Sequence, residues 1–301
     1  MGYFGIMSSG PSTRKIVRLE SQILFYSLLG LGIGLAFDRQ LLSMKMVTCS
    51  ILPTITEHYW FFSAYIIVFA LSGYLNDFLR SLSKERYVKL LTMSYVFFSF
   101  IPFFSLRENN GFFWNQLIWF FVMYITGAFF NRFKPRKAIR VYCVYVFVCV
   151  LLLEMSFVFS ELLAPRFAFL KGHTTYFRWS NSPLAIIIAI SMLCIAIQSK
   201  KHINVGINKV ASLVFGVYLL HENIFIQDLL WGKFLNASAW NTPIERIIHF
   251  LLSISIVFVL GCLVELVRTL VERLVLLKPI NLISTKIDSS ISSIGNALLR
   301  R

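Results

Sequence analysis

The sequence predicts an all-α, polytopic transmembrane helical bundle of about eight spans, with both termini cytoplasmic. Three observations carry that expectation. Of 301 residues, 57% are hydrophobic and 14% charged, whereas a soluble domain is about half apolar and about a quarter charged; mean hydropathy is +0.72. Segments of about 20 mainly apolar residues, the length that crosses a hydrocarbon core of about 30 Å, recur along the chain. Lysine and arginine concentrate in alternate loops. Ten-residue stretches of alternating polarity, the pattern of a membrane β-barrel, are missing from the sequence.

The elements follow in order. Residues 1–20 form an N-terminal cytoplasmic segment. It has no charged n-region ahead of an apolar h-region, so it does not read as a signal peptide. Its opening Met1-Gly2-Tyr3-Phe4 looks like the cytoplasmic end of an earlier helix. Residues 21–271 hold the bundle, with spans expected at 21–37, 59–79, 90–106, 112–130, 141–163, 183–198, 210–231 and 248–271. The stretch 41–52 is too short to span and carries Lys45, which favours an interfacial or re-entrant piece ending at Pro53. Residues 272–301 form a cytoplasmic tail. There Ile280, Ile283, Ile287, Ile291, Ile294 and Leu298 recur at helical spacing and predict an amphipathic helix on the inner membrane surface.

Charge supplies an independent check. With an inside N-terminus the inside loops collect 21 of the 29 Lys and Arg: Arg14, Lys15, Arg18; Arg80, Lys84, Arg86, Lys89; Arg132, Lys134, Arg136, Lys137, Arg140; Lys200, Lys201, Lys209; and Arg268, Arg273, Lys278, Lys286, Arg300, Arg301. A missed span would have scrambled that bias. The formal net charge of +15 therefore marks cytoplasmic loops of a multi-pass plasma-membrane protein and not a nucleic-acid partner. Cys49, Cys143, Cys149, Cys194 and Cys262 lie in apolar runs without metal-ligand spacing and read as small apolar fillers. No metal site is expected.

Ionisable groups inside a membrane are costly, which makes each a functional candidate beside a blander reading. His221-Glu222-Asn223 stands inside the span expected at 210–231, with Tyr218 at i−3 and Asp228 at i+7 on the same face. An imidazole and a carboxylate there suit a hydroxyl-rich substrate or a proton shuttle; the alternative is an interhelical packing cluster. Glu154, deep in the span 141–163, where an unpaired carboxylate would be protonated, reads as a site group or as helix glue. Glu57, His58 and Trp60 are candidate substrate contacts or an interfacial belt, and Arg178 beside Trp179 is a sugar platform or a membrane anchor. The pairs Asp77/Arg80 and Glu265/Arg268 read as interfacial ion pairs at helix ends. The basic run 132–140 suits anionic lipid or a phosphate-bearing donor.

The stretches at 14–29 (RKIVRLESQILFYSLL), 57–76 (EHYWFFSAYIIVFALSGYLN), 117–133 (LIWFFVMYITGAFFNRF) and 215–231 (FGVYLLHENIFIQDLLW) resemble, in order and spacing, the acyltransferase-3 family of membrane O-acyltransferases of the polysaccharide-cluster type. The likeness runs to about Val271. It implies O-acyl transfer, usually of acetyl from cytoplasmic acetyl-CoA, to a hydroxyl of a bacterial cell-envelope or exopolysaccharide sugar. No cofactor is implied as resident; the acyl-CoA is the donor. Lys15 and Arg18 form a Lys-x-x-Arg where the family often has Arg-x-x-Arg, and so mark the donor site. His221 matches the histidine of a late Tyr-Leu-x-His stretch, preceded here by Tyr218 and Leu219, and takes the catalytic role. Tyr218, Glu222, Asn223, Glu57, His58, Trp60 and Arg178, read from the residues themselves, remain the candidate substrate contacts. Family bundles commonly have ten helices, the first carrying an arginine followed by a histidine tied to acyl transfer. The Met1-Gly2-Tyr3-Phe4 opening resembles the end of the second, which implies a chain without the first two, possessing eight spans, and a truncated or inactive form as one reading.

Other classes are a transporter or flippase for a lipid-linked saccharide and a polysaccharide polymerase. The first predicts broken helices in corresponding halves, which the sequence does not display. The second usually carries a large outer loop, whereas the longest expected here, at 164–182, is short.

Overall fold

The computed structural model describes residues 1–8, 10–37, 43–104, 115–135, 137–167, 176–200 and 203–299. Among the described residues every regular element is a helix. In order they are α1 (Gly2–Gly5), α2 (Thr13–Phe37), α3 (Met44–Ile51), α4 (Trp60–Ala70), α5 (Ser72–Ser81), α6 (Lys84–Tyr95), α7 (Ile101–Phe104), α8 (Gln116–Arg132), α9 (Ile139–Leu163), α10 (Pro183–Gln198), α11 (Val205–Ala211), α12 (Val214–His221), α13 (Ile224–Gln227), α14 (Pro243–Val271) and α15 (Leu277–Leu299). Several starts are written locally. The side chains of Ser43, Ser83, Asn115, Ser182, Asn204 and Asn223 each accept a first-turn backbone N–H, and Thr242 with Glu245 closes a capping box at α14.

Five of these helical stretches are long and apolar enough to cross a membrane, and up to seven if each of two bent pairs counts as one. The helix expected at 112–130 is realised as α8, whose 17 residues reach about 25 Å at 1.5 Å per residue; residues 112–114 lie outside the described ones, as do Arg39, Arg107, Lys171, Arg136, Lys201, Arg300 and Arg301.

Two expected straight spans are corrected. The stretch 59–79 bends by 58° between α4 and α5. There the Ser72 hydroxyl donates to the Phe69 carbonyl, competing with the helical ladder just ahead of Gly73. The stretch 210–231 is broken, with the path up to His221 and the path from Ile224 differing by 77°. Asn223 leaves the helical conformation (φ −68°, ψ 126°) to cap α13, so Asp228 does not continue the face of His221. Broken helices, not evident in the sequence, are therefore present. The tail is helical as expected, and joins α14 through a π-helical turn at Glu272–Leu276.

The chain forms two compact units, Met1–Gly10 with Ile67–Lys201, and Pro11–Ile66 with His202–Arg301. In the first, Ile6, Val68, Leu79, Tyr87, Leu91, Tyr124, Ile125 and Ala128 make a core. Buried Asn76 ties α1 down, donating to the carbonyls of Gly5 (2.8 Å) and Ser8 (3.0 Å) and accepting from the Tyr124 hydroxyl (2.7 Å). α10 runs along α9, whose Phe147, Leu151 and Phe159 stay exposed, as lipid-facing positions do. Glu154 is not unpaired there. Both its oxygens accept from Arg178, at 3.0 and 2.9 Å, a pairing the sequence could not foresee because it depends on how the segment Tyr176–Arg178 folds back.

In the second unit, α2 is the central element: α3, α12, α13 and α15 pack on it, and α12 also packs on α14. A Cβ on Gly261 of α14 would stand 2.7 Å from the Val217 Cα, so the α12/α14 contact is made backbone to backbone. All five cysteines are free.

Candidate functional site

The candidate site lies in the second unit and begins with a stripe on α2. Arg18, Gln22, Tyr26, Gly30 and Gly34 recur every fourth residue, which places them on one face. From Arg18 to Gly30 that face runs about 18 Å along the axis.

Its lower half meets α14. Glu265 accepts from the Tyr26 hydroxyl at 2.8 Å and from the Gln22 amide at 3.0 Å. Arg268 grips both oxygens of Glu265 at 2.8–3.0 Å and reaches Glu272 at 2.5 Å. The Arg18 guanidinium bonds the other oxygen of Glu272. Glu265, Arg268 and Glu272 are 3%, 5% and 2% exposed. The expected Glu265/Arg268 ion pair is present, and it is buried. Their i, i+3, i+7 spacing with Glu272 turns all three toward α2, where Gln22, Tyr26 and Arg18 complete the charge and hydrogen-bond balance that burial demands.

The upper half meets the α12/α13 break. Asn223 is fully buried. Its amide N–H groups donate to the Tyr26 carbonyl (3.2 Å) and the Tyr59 hydroxyl (2.9 Å), with His58 Nε2 at 3.5 Å, while its oxygen accepts from Phe225 N–H (3.1 Å). One short side chain thus holds α2, the connection ahead of α4, and the start of α13. It fits because residue 30 is glycine: a Cβ there would overlap the Asn223 amide. Gly30→Val is expected to cost about 1–3 kcal/mol through this overpacking, read as a lowered melting temperature in detergent. An unchanged melting curve would show that Asn223 has somewhere else to go.

Around Asn223 stand the groups able to do chemistry. His221 Nδ1 lies 2.8 Å from the Val217 carbonyl. A carbonyl only accepts, so Nδ1 carries the proton in that bond, and in the neutral ring the lone pair is then on Nε2. Nε2 is 3.7 Å from the Glu222 carboxylate. The Tyr218 ring centres 6.1 Å from His221, 5.5 Å from Phe61 and 6.5 Å from Tyr59, and among the described residues its buried hydroxyl has no acceptor for its proton. With its ring in the neutral form, an imidazole placed this way can take a proton from one ligand oxygen while the Tyr218 hydroxyl donates to another.

The structure gathers Tyr218, His221, Glu222, Asn223 and His58 here. Glu57 is exposed, at a φ of 54°, and Trp60 is exposed at the start of α4. Arg178 belongs to the first unit, in its pair with Glu154. Arg18 joins the lower half through Glu272, with Lys15 one turn before it on α2. Sequence reasoning missed Gln22, Tyr26, Tyr59 and Glu272. The stripe of fours on α2 was the available signal for the first two.

The family model described as an acyltransferase domain matches residues 12–266. The chain belongs to the acyltransferase-3 family. No curated protein and no solved structure matches it. In this acyltransferase-3 chain the matched stretch begins one residue before α2 and ends one residue after Glu265, so it takes in the whole α2 stripe, the helix break and the first carboxylate of the buried network.

Proposed function

We propose that the chain is a plasma-membrane O-acyltransferase that moves an acyl group, acetyl in the first instance, from cytoplasmic acetyl-CoA to a hydroxyl of a cell-envelope or exopolysaccharide sugar. Family membership over residues 12–266 carries the reading. Both termini lie in the cytoplasm in this proposal, with Lys15 and Arg18 on the donor side. His221 Nε2 takes the proton from the acceptor hydroxyl as its oxygen attacks the thioester carbonyl, and the thiolate leaves. Tyr218 donates to an oxygen of the bound substrate. Asn223 holds the broken helix beside both groups, and Glu222, Glu57, His58 and Trp60 are assigned to the saccharide. The support for this is chemical: an open imidazole nitrogen and an unspent hydroxyl proton lie at one end of the polar stripe, and the Lys-x-x-Arg lies at the other.

Membranes containing the chain are expected to transfer label from [acetyl]-CoA into alkali-labile ester on the envelope saccharide, and membranes lacking it are not. The 77° break at Asn223 favours a second reading, a saccharide flippase, because transporters build their sites at interrupted helices. Saccharide movement across vesicles with no thioester present, together with no ester formed, would establish that reading instead.

A further inference from the structure

The first unit carries a basic cavity to which the acyl-transfer reading gives no task. It has a volume of about 680 Å3 and is lined by Lys84 at the start of α6, by Phe129, Phe130, Arg132, Phe133, Lys134 and Lys137 at and beyond the end of α8, and by Tyr142 of α9. Four cations and four aromatic rings share its wall. No carboxylate lines it, and among the described residues none of the four cations has an ion pair.

The cations are held by other means. Arg132 caps the end of α5, donating to the carbonyls of Leu79 and Leu82, and lies 5.1 Å over the Phe133 ring. Lys134 sits 5.0 Å over Tyr3 and bonds its hydroxyl at 3.2 Å; Lys137 sits 4.9 Å over Tyr145 and bonds that hydroxyl at 2.6 Å. The Tyr145 hydroxyl raises the Lys137 pKa above its ordinary value, so the ammonium stays charged through neutral pH. Lys84 stands 5.8 Å from the Phe133 ring. Rings and hydroxyls orient ammonium groups without neutralising them, and α9 begins at the next residue after Ala138 with no side-chain cap, adding the positive end of its dipole.

We infer that this cavity binds a phosphate-bearing anion, with Lys84, Lys134 and Lys137 on the phosphate oxygens and Phe129, Phe130 and Tyr142 against a planar or apolar remainder. The chemistry is shared by a nucleotide such as CoA and by the headgroup of an anionic phospholipid. Only the nucleotide arm rests on the acyl-transfer reading.

The test uses the full chain in nanodiscs. CoA is titrated in phosphatidylcholine discs, and retained phosphatidylglycerol is measured by native mass spectrometry from mixed discs. Lys84→Gln/Lys134→Gln/Lys137→Gln is expected to weaken one of these at least tenfold, since each lost contact is charge-assisted. The corresponding triple Lys→Arg variant keeps it, which separates charge from folding. Weaker CoA binding identifies the nucleotide, and lost phosphatidylglycerol enrichment identifies the lipid. The inference is overturned if the wild type takes up neither probe, if the triple Gln variant matches the wild type for both, or if triple Arg loses as much as triple Gln. A parallel Lys15→Gln/Arg18→Gln variant keeps the two proposals apart: CoA binding lost in it alone, with phosphatidylglycerol unchanged throughout, sinks the cavity and leaves the donor site standing.

Discussion

Arg268→Leu is expected to destabilise the second unit by about 3–5 kcal/mol, the cost of removing one partner from a buried ion pair. Two carboxylates depend on this guanidinium. Glu265 would keep only Tyr26 and Gln22, and Glu272 only Arg18. Both would remain in a setting where they are 3% and 2% exposed. The measurement is recovery of monodisperse protein from membranes and its melting temperature. A companion variant sharpens the claim, because Glu265→Leu/Arg268→Leu removes both members of the pair in which Arg268 grips two carboxylate oxygens, and leaves Glu272 with Arg18. It should recover part of the loss. If the double variant were worse than the single one, the carboxylate of Glu265 would be contributing something other than charge balance.

His221→Ala is expected to lower acyl transfer by about 10²–10⁴-fold, the usual contribution of a positioned general base, while leaving the melting temperature close to that of the wild type. The separation of the two readouts follows from geometry. The one hydrogen bond holding the ring goes to the carbonyl of Val217 on its own helix, and the side chain is about one-third exposed, so little packing is lost. Tyr218→Phe, which deletes only the unspent hydroxyl, should reduce transfer less and likewise leave stability alone. Transfer at the wild-type rate in His221→Ala would remove this residue from the chemistry and point to His58, whose Nε2 faces the same asparagine.

Much of the architecture could be read from the chain. Hydropathy marked the long helices, and the Ser182 cap stands where a polar residue precedes an apolar run. The breaks were harder. A 22-residue apolar stretch from Val210 to Trp231 outweighs one asparagine in any window average, yet Asn223 alone redirects the chain, because its amide satisfies groups on three segments at once. The Tyr218 and His221 pairing was visible from i, i+3 spacing; the approach of His58 was not, since it comes from a connection 165 residues earlier. The burial of the Glu265/Arg268 pair was hidden for a related reason. Spacing within one helix shows that two charges can meet and says nothing of whether a second helix covers them.

The polar partners of α2 come from the far end of the chain. Tyr26 and Glu265 are 239 residues apart, Gln22 and Glu265 243, and Arg18 and Glu272 254. At about 5–20 residues per second of synthesis, α2 waits roughly 10–50 s in the bilayer before its glutamates exist. During that interval Arg18, Gln22 and Tyr26 must borrow partners from lipid headgroups, water or an insertion chaperone. α14, among the last helices to emerge, is thus the one that closes the polar face, and a ribosome stalled before Glu265 would leave a membrane-embedded helix with its hydrogen-bonding face open to capture by quality control.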